Sequence, residues 1–147
     1  MAAFERTAEV VWNGGLADGH GTVSSGSGAL ADLPVTWPAR VESPDGLTSP
    51  EELVAAAHAA CYAMAFSNTL GAAGHPPEQL DVSAVVSGEL GAGGLNVLSS
   101  ELTVRGRVPG LDQSEFARLA EEGERSCPIS NALRGNIEIR VNATLAD

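Results

Sequence analysis

From Leu53 to Phe66 the chain runs 14 residues in which His58 is the one strongly polar side chain. No other stretch limits the possible folds so sharply. It is alanine-rich, and it is preceded by a complete helix start: Ser49 to cap, Pro50 at the first helical position, and Glu52 three residues after Ser49 to close a capping box. The expected helix spans Pro50 to Leu70, with Gly71 or Gly74 ending it. Its middle is apolar on nearly every side, so it must be covered all round. In a chain of 147 residues that favours burial between a sheet and a second subunit or helix layer. At 14 residues the apolar run itself is too short to span a bilayer and reads as a core helix.

Around this helix the hydrophobic period is two. Phe4, Arg6, Ala8, Val10 and Trp12 alternate with Glu5, Thr7 and Glu9 until Asn13-Gly14-Gly15 breaks the pattern. A Gly/Ser-rich second strand is expected from about Gly21 to Leu30, and a third extended piece over Pro34 to Val41 carries Trp37 and Arg40. After the helix, Leu80, Val82, Ala84, Val86 and Leu90 point one way, and Leu98, Leu102, Val104 and Val108 continue the apolar face beyond a turn at Gly91 to Gly94. Asp112 with Glu115 opens another capped helix, a short helix covers Pro128 to Arg134, and Ile137 to Leu145 is the last strand. The order predicts an α+β fold with mostly antiparallel sheets, built from hairpins rather than βαβ crossovers, as a single domain over residues 1–147.

Charge removes several functions. Eight basic residues, all arginine, face 19 acidic ones, for a net charge of −11. Without lysine there is no Schiff-base nucleophile and no phosphate-binding P-loop lysine. The acidic balance argues against nucleic acid and anionic membranes as partners. The opening residues Met1 to Arg6 lack the basic start and apolar run of a secretory signal, so the cytoplasm is the expected compartment.

Chemistry is concentrated in few residues. Cys61 and Cys127 are the two thiols, and in a reducing compartment they are either inert core residues or a redox pair. Metal binding has little support, because no four ligands stand at paired spacing. His58 lies three residues before Cys61, one helical turn away on the same face, which is the minimum for an activated thiolate and equally compatible with local hydrogen bonding. Cys127 directly precedes Pro128 and is placed to cap the short helix, where free N–H groups lower a thiol's pKa; local electrostatics alone favour it as the attacking sulfur. Glu51 and Glu52 suit the helix N-terminus, and one of them has the geometry to hold Arg40 through its guanidinium fork.

Two segments together resemble the OsmC/Ohr family of thiol-dependent organic hydroperoxide reductases, the OsmC branch more than the Ohr branch. Ser49-Pro50-Glu51-Glu52-Leu53-Val54-Ala55-Ala56-Ala57-His58-Ala59-Ala60-Cys61-Tyr62-Ala63-Met64-Ala65 resembles the family's PEE-to-cysteine helix, and Cys127-Pro128-Ile129-Ser130-Asn131-Ala132-Leu133 resembles its second cysteine motif. Gly21-Thr22-Val23-Ser24 and Ser27-Gly28 also match, and Arg40 stands in the strand before the helix, as in the OsmC branch.

The resemblance implies an intertwined homodimer with sites at the subunit interface. It makes Cys61 the peroxidatic thiolate and Cys127 the resolving thiol, reversing the electrostatic preference. Arg40 would steady the thiolate and the peroxide, with Glu51 as its carboxylate partner. The implied substrate is an organic hydroperoxide more than hydrogen peroxide, which the small apolar surroundings expected of Ala60, Met64 and Phe66 also suit. An external dithiol, with a lipoylated protein as the candidate, would supply electrons, and no cofactor is needed. Ten helical residues separate Glu51 from Cys61 and rise about 15 Å. The expectation is therefore that Arg40 and Glu51 serve Cys61 of the other subunit. Two rival readings are a redox-sensing or ligand-binding module without turnover, and a Cys/His hydrolase using Cys61 and His58.

Overall fold

The structure is a computed structural model that describes all residues, Met1–Asp147. The chain forms two compact units, residues 1–53 and 54–147. It is α+β, as its element order predicts.

The first unit is an antiparallel sheet of β1 (Ala8–Asn13), β2 (His20–Ser25) and β3 (Leu33–Val35), in that spatial order. Trp12 of β1 lies opposite Gly21 of β2. A Cβ at Gly21 would come within 2.8 Å of the Trp12 ring and 2.9 Å of the Val11 carbonyl, so only glycine fits under that indole. The second strand stops at Ser25, short of the expected Leu30, because Gly28 turns the chain at φ +81°. The extended reading of Pro34 to Val41 is wrong in its second half. After Val35 the Thr36 hydroxyl accepts the Ala39 N–H at 3.2 Å and starts the helix α1 (Trp37–Val41), with Pro38 in its first turn. Arg40 therefore sits on a short helix and not on a strand.

Helix α2 (Pro50–Ala72) runs from the first unit into the second. Ser49 Oγ accepts the Glu52 N–H at 3.1 Å, as the capping box requires, but the Glu52 carboxylate turns to the Thr48 hydroxyl at 2.9 Å, so only half of the box forms. At the far end the His75 N–H bonds the Leu70 carbonyl and Gly74 takes φ +87°, which stops the helix.

In the second unit β4 (Gln79–Gly91) and β5 (Gly94–Arg107) form a long antiparallel hairpin. A register shift at Ser87/Gly88 ends the strict alternation there. Leu98 is the unpaired residue at that shift and Leu90 lies beyond it toward the turn; both, expected on the inner face, are exposed. Helix α3 (Gln113–Ser126) starts on Asp112, whose carboxylate accepts the Glu115 N–H at 2.8 Å. Helix α4 (Pro128–Leu133) follows, and β6 (Glu138–Leu145) pairs with β5 in parallel. The α3–α4 segment is thus a crossover between parallel neighbours, which corrects the expectation of hairpins throughout, although the other pairings are antiparallel. Alternation predicts a strand's faces and is silent about its direction.

The core of this unit joins Tyr62, Phe66 and Leu70 of α2 to Leu102 and Val104 of β5, Val108 just beyond it, and Phe116, Leu119 and Ala120 of α3. The Phe66 ring lies 5.6 Å from Tyr62 and 5.2 Å from Phe116, centroid to centroid. Only one stripe of α2 is buried, His58, Tyr62, Phe66, Thr69 and Leu70. The opposite side stays bare, with Met64 at 70% exposure. By length and composition alone the helix is apolar enough to cross a membrane, which the 14-residue apolar run does not suggest. Its buried stripe is where the core of this unit is built.

Candidate active site

Cys61 follows His58 by one turn on α2, half-buried and packed against the core. Cys127 is fully buried at the junction of two helices. Its N–H bonds the Glu124 carbonyl at 3.1 Å, closing α3, while its sulfur accepts the Ser130 N–H at 3.5 Å, opening α4. The predicted cap is therefore real. Both cysteines are free thiols, and they are neighbours. Burial pushes the Cys61 thiol up, the Ile129 backbone N–H pulls it down, and the adjacent Cys127 thiol pushes it up again, for a net rise above the usual thiol value. The cap position also removes Cys127 from solvent. Of the two sulfurs, Cys61 is the one with exposed surface.

His58 does not serve Cys61. Its Nδ1 is 2.6 Å from Ser100 Oγ and its Nε2 is 2.8 Å from Ser130 Oγ. Desolvation lowers its pKa, partly offset by the Glu124 carboxylate, so the ring is neutral. With both nitrogens occupied, the Cys/His dyad of the hydrolase reading is absent. Ser100 and Ser130 were missed as partners. The signal for Ser100 was present, since it shares the inward face of β5 with Leu102 and Val104 and is fully buried. Of the apolar neighbours expected around Cys61, Phe66 belongs to the core, whereas Met64 and Ala60 are exposed.

In the first unit Arg40 and Glu51 are brought together. Arg40 Nη2 donates to Glu51 Oε1 at 2.8 Å, and its Nε reaches both carboxylate oxygens at 3.0 Å, a fork onto a carboxylate. Desolvation tends to raise the Glu51 pKa, but the Arg40 hydrogen bonds, its own backbone N–H and the Arg40 charge outweigh it and hold the carboxyl below its ordinary value. The Trp37 ring lies 5.9 Å from the guanidinium carbon. Beside the pair opens a cavity of about 430 Å³ lined by Val10, Trp12, Leu16, Val23, Val35, Thr36, Trp37, Pro50 and Leu53. Arg40 is the charged residue on its wall, so the cavity is an apolar chamber with one cationic fork. No group of His, Cys, Asp and Glu forms a metal site.

Residues 43–142 match the family described as OsmC-like protein. This chain belongs to that family. It is 39% identical to the peroxiredoxin OsmC of Escherichia coli K12 over 136 residues, 92% of this chain and 94% of that one. The structure resembles the crystal structure of an organic hydroperoxide resistance protein OsmC from Legionella pneumophila, with a TM-score of 0.79 at 27% identity, covering 98% of this chain and 99% of the other. It also resembles the organic hydroperoxide resistance protein OhrB of Bacillus subtilis, with a TM-score of 0.76 at 28% identity over 97% and 100% of the two chains. These likenesses span nearly the whole chain, including both cysteine segments.

Proposed function

We infer that this protein is a cytoplasmic, thiol-dependent peroxidase that reduces organic hydroperoxides to alcohols and, more weakly, hydrogen peroxide to water. What carries the reading is the juxtaposition of a partly exposed thiol, Cys61, with a buried one, Cys127, in a chain whose relatives are named for peroxiredoxin activity and hydroperoxide resistance. The Cys61 sulfur takes the distal oxygen of the hydroperoxide. The O–O bond breaks, the alkoxide leaves and is protonated to the alcohol, and Cys61 becomes a sulfenic acid. The Cys127 thiol then displaces that hydroxyl, water leaves, and a Cys61–Cys127 disulfide remains. An external dithiol reduces it by exchange, with a lipoylated protein as the candidate donor.

The thiolate needs a cation, and none bonds Cys61 within its own unit, where burial raises the thiol pKa. Arg40 and Glu51 lie ten or more residues before it, about 15 Å away along α2 for Glu51. The reading assigns the activation to Arg40 of the partner subunit, fixed by Glu51 of the partner subunit, in a homodimer whose helices pack antiparallel over the bare side of α2. The cationic fork would lower the thiolate pKa and offset charge developing on the departing oxygen, and the apolar chamber beside Arg40 would hold the organic part of the hydroperoxide. A steady-state assay of tert-butyl hydroperoxide consumption, with dihydrolipoamide and thioredoxin compared side by side, tests this. Turnover with at least one dithiol is expected. A single stoichiometric oxidation without recycling by either dithiol would identify a sensor instead.

A further inference from the structure

The mechanism above leaves unused the buried chain Ser100–His58–Ser130. It crosses three elements, β5, α2 and α4, and each of its members has zero exposure. Ser130 has two attachments. Its hydroxyl meets His58, one turn before Cys61 on α2, and its backbone N–H meets the sulfur of Cys127. A neutral imidazole offers one donor and one acceptor, and a serine hydroxyl supplies either complement, so the chain is satisfied from end to end. Helix α4 has six residues and cannot hold its own position. Its last turn is tied to α3 by Arg134 Nη2 on Glu124 Oε1 at 2.9 Å. Its first turn, which carries Cys127, is tied to α2 through Ser130 and His58.

We propose that the Ser100–His58–Ser130 chain is the positioning device that sets α4 against α2 and thereby determines how fast Cys127 captures an oxidised Cys61. The order of the two sulfurs rests on the function proposed above. Reaction between two sulfurs is steeply sensitive to their relative placement, whereas attack of Cys61 on a peroxide draws on α4 only through the Ile129 N–H beside the Cys61 sulfur. His58 and Ser130 are positioning residues, and their loss strikes the second step far more than the first.

The test is single-turnover oxidation of the full-length reduced protein with tert-butyl hydroperoxide. Trapping with a dimedone-type sulfenic acid probe and mass spectrometry separate sulfenic acid formation from disulfide formation. Ser130→Ala is expected to leave the first step within about twofold of wild type and to slow the second about tenfold or more, with sulfinic acid accumulating on Cys61 in excess peroxide. Ser130→Thr, which keeps the hydroxyl, is expected to recover most of the second step. Resolution within about twofold of wild type in Ser130→Ala, or an equal fall in both steps, would overturn the proposal. If Ser130→Ala does not fold, Ser100→Ala, which cuts the chain at its other end, is measured in its place under the same criteria. Equilibration with a glutathione redox buffer gives a readout that needs no peroxide. The effective concentration of one thiol for the other is expected to fall about tenfold in the alanine variant, and an unchanged value contradicts the positioning role. A wild type that consumes no peroxide would sink the peroxidase reading and leave this equilibrium to decide the positioning claim alone.

Discussion

Arg40 is where a single side chain carries most. Its fork onto Glu51 is partly solvent-exposed, 32% and 17% for the two side chains, so the pair adds little to stability, less than about 1 kcal/mol. In the proposed mechanism its part is orientation. Arg40→Gln is expected to slow sulfenic acid formation about 100-fold and to raise the Cys61 pKa, read from the pH dependence of iodoacetamide alkylation; an unshifted alkylation profile would remove Arg40 from the site. Glu51 has a folded pKa below its ordinary 4.5. Its contribution to stability is therefore complete above pH 4.5 and is lost as pH falls through the lower folded value. Cys127→Ser should leave Cys61 without a captor, so sulfinic acid should build up on repeated exposure to peroxide, quantified by mass spectrometry. At this scale much was legible. Pro128 marks Cys127 as a cap, and the arginine's need for a carboxylate points to the first turn of the long helix. The inward position of Ser100 was legible from the alternation of β5, but Ser130 stayed hidden, and neither serine carries a sign of what a distant histidine will ask of it.

Among the elements, α2 governs the fold through one stripe. Phe66 contacts Tyr62 and Phe116, and its backbone lies against Gly123 of α3, where a Cβ would come within 3.0 Å of the Phe66 Cα. Phe66→Ala should cost about 3–5 kcal/mol, and Gly123→Ala about 1–3 kcal/mol by forcing α3 off α2, both by urea denaturation. Long periodic elements such as α2, β4 and β5 were readable because many residues repeat one instruction. Helix α1 was not, because five residues hold little more than a turn and Pro34 and Pro38 mimic an extended segment. The parallel pairing of β6 could not be read either, since both faces of a strand look the same in either direction. Nor could the irregularity at Ser87/Gly88 be read: it leaves Leu98 unpaired between Val97 and Ser99, so a residue that strict alternation turns inward is exposed.

At the scale of the molecule the chain is two compact units. Both tryptophans, Trp12 and Trp37, lie in the first unit, so their fluorescence reports that unit, while far-ultraviolet circular dichroism follows chiefly the helices of the second. Coincident unfolding curves from the two signals are expected, and separated midpoints would mean two independent folding units. Buried neutral His58 has a folded pKa below its ordinary 6.5, so the unfolded chain binds the extra proton and stability should decline as pH falls below about 6.5, a slope that His58→Gln should flatten. Sedimentation is expected to give a dimer covering the bare side of α2, where Met64 is exposed. The central claim is that Cys61, not the electrostatically favoured Cys127, meets the peroxide. The measurement is the alcohol released when each single-cysteine variant receives one equivalent of cumene hydroperoxide. Cys127→Ser should release one equivalent of cumyl alcohol per chain and carry a sulfenic acid on Cys61, and Cys61→Ser should release none; alcohol from Cys61→Ser, with none from Cys127→Ser, would contradict the account.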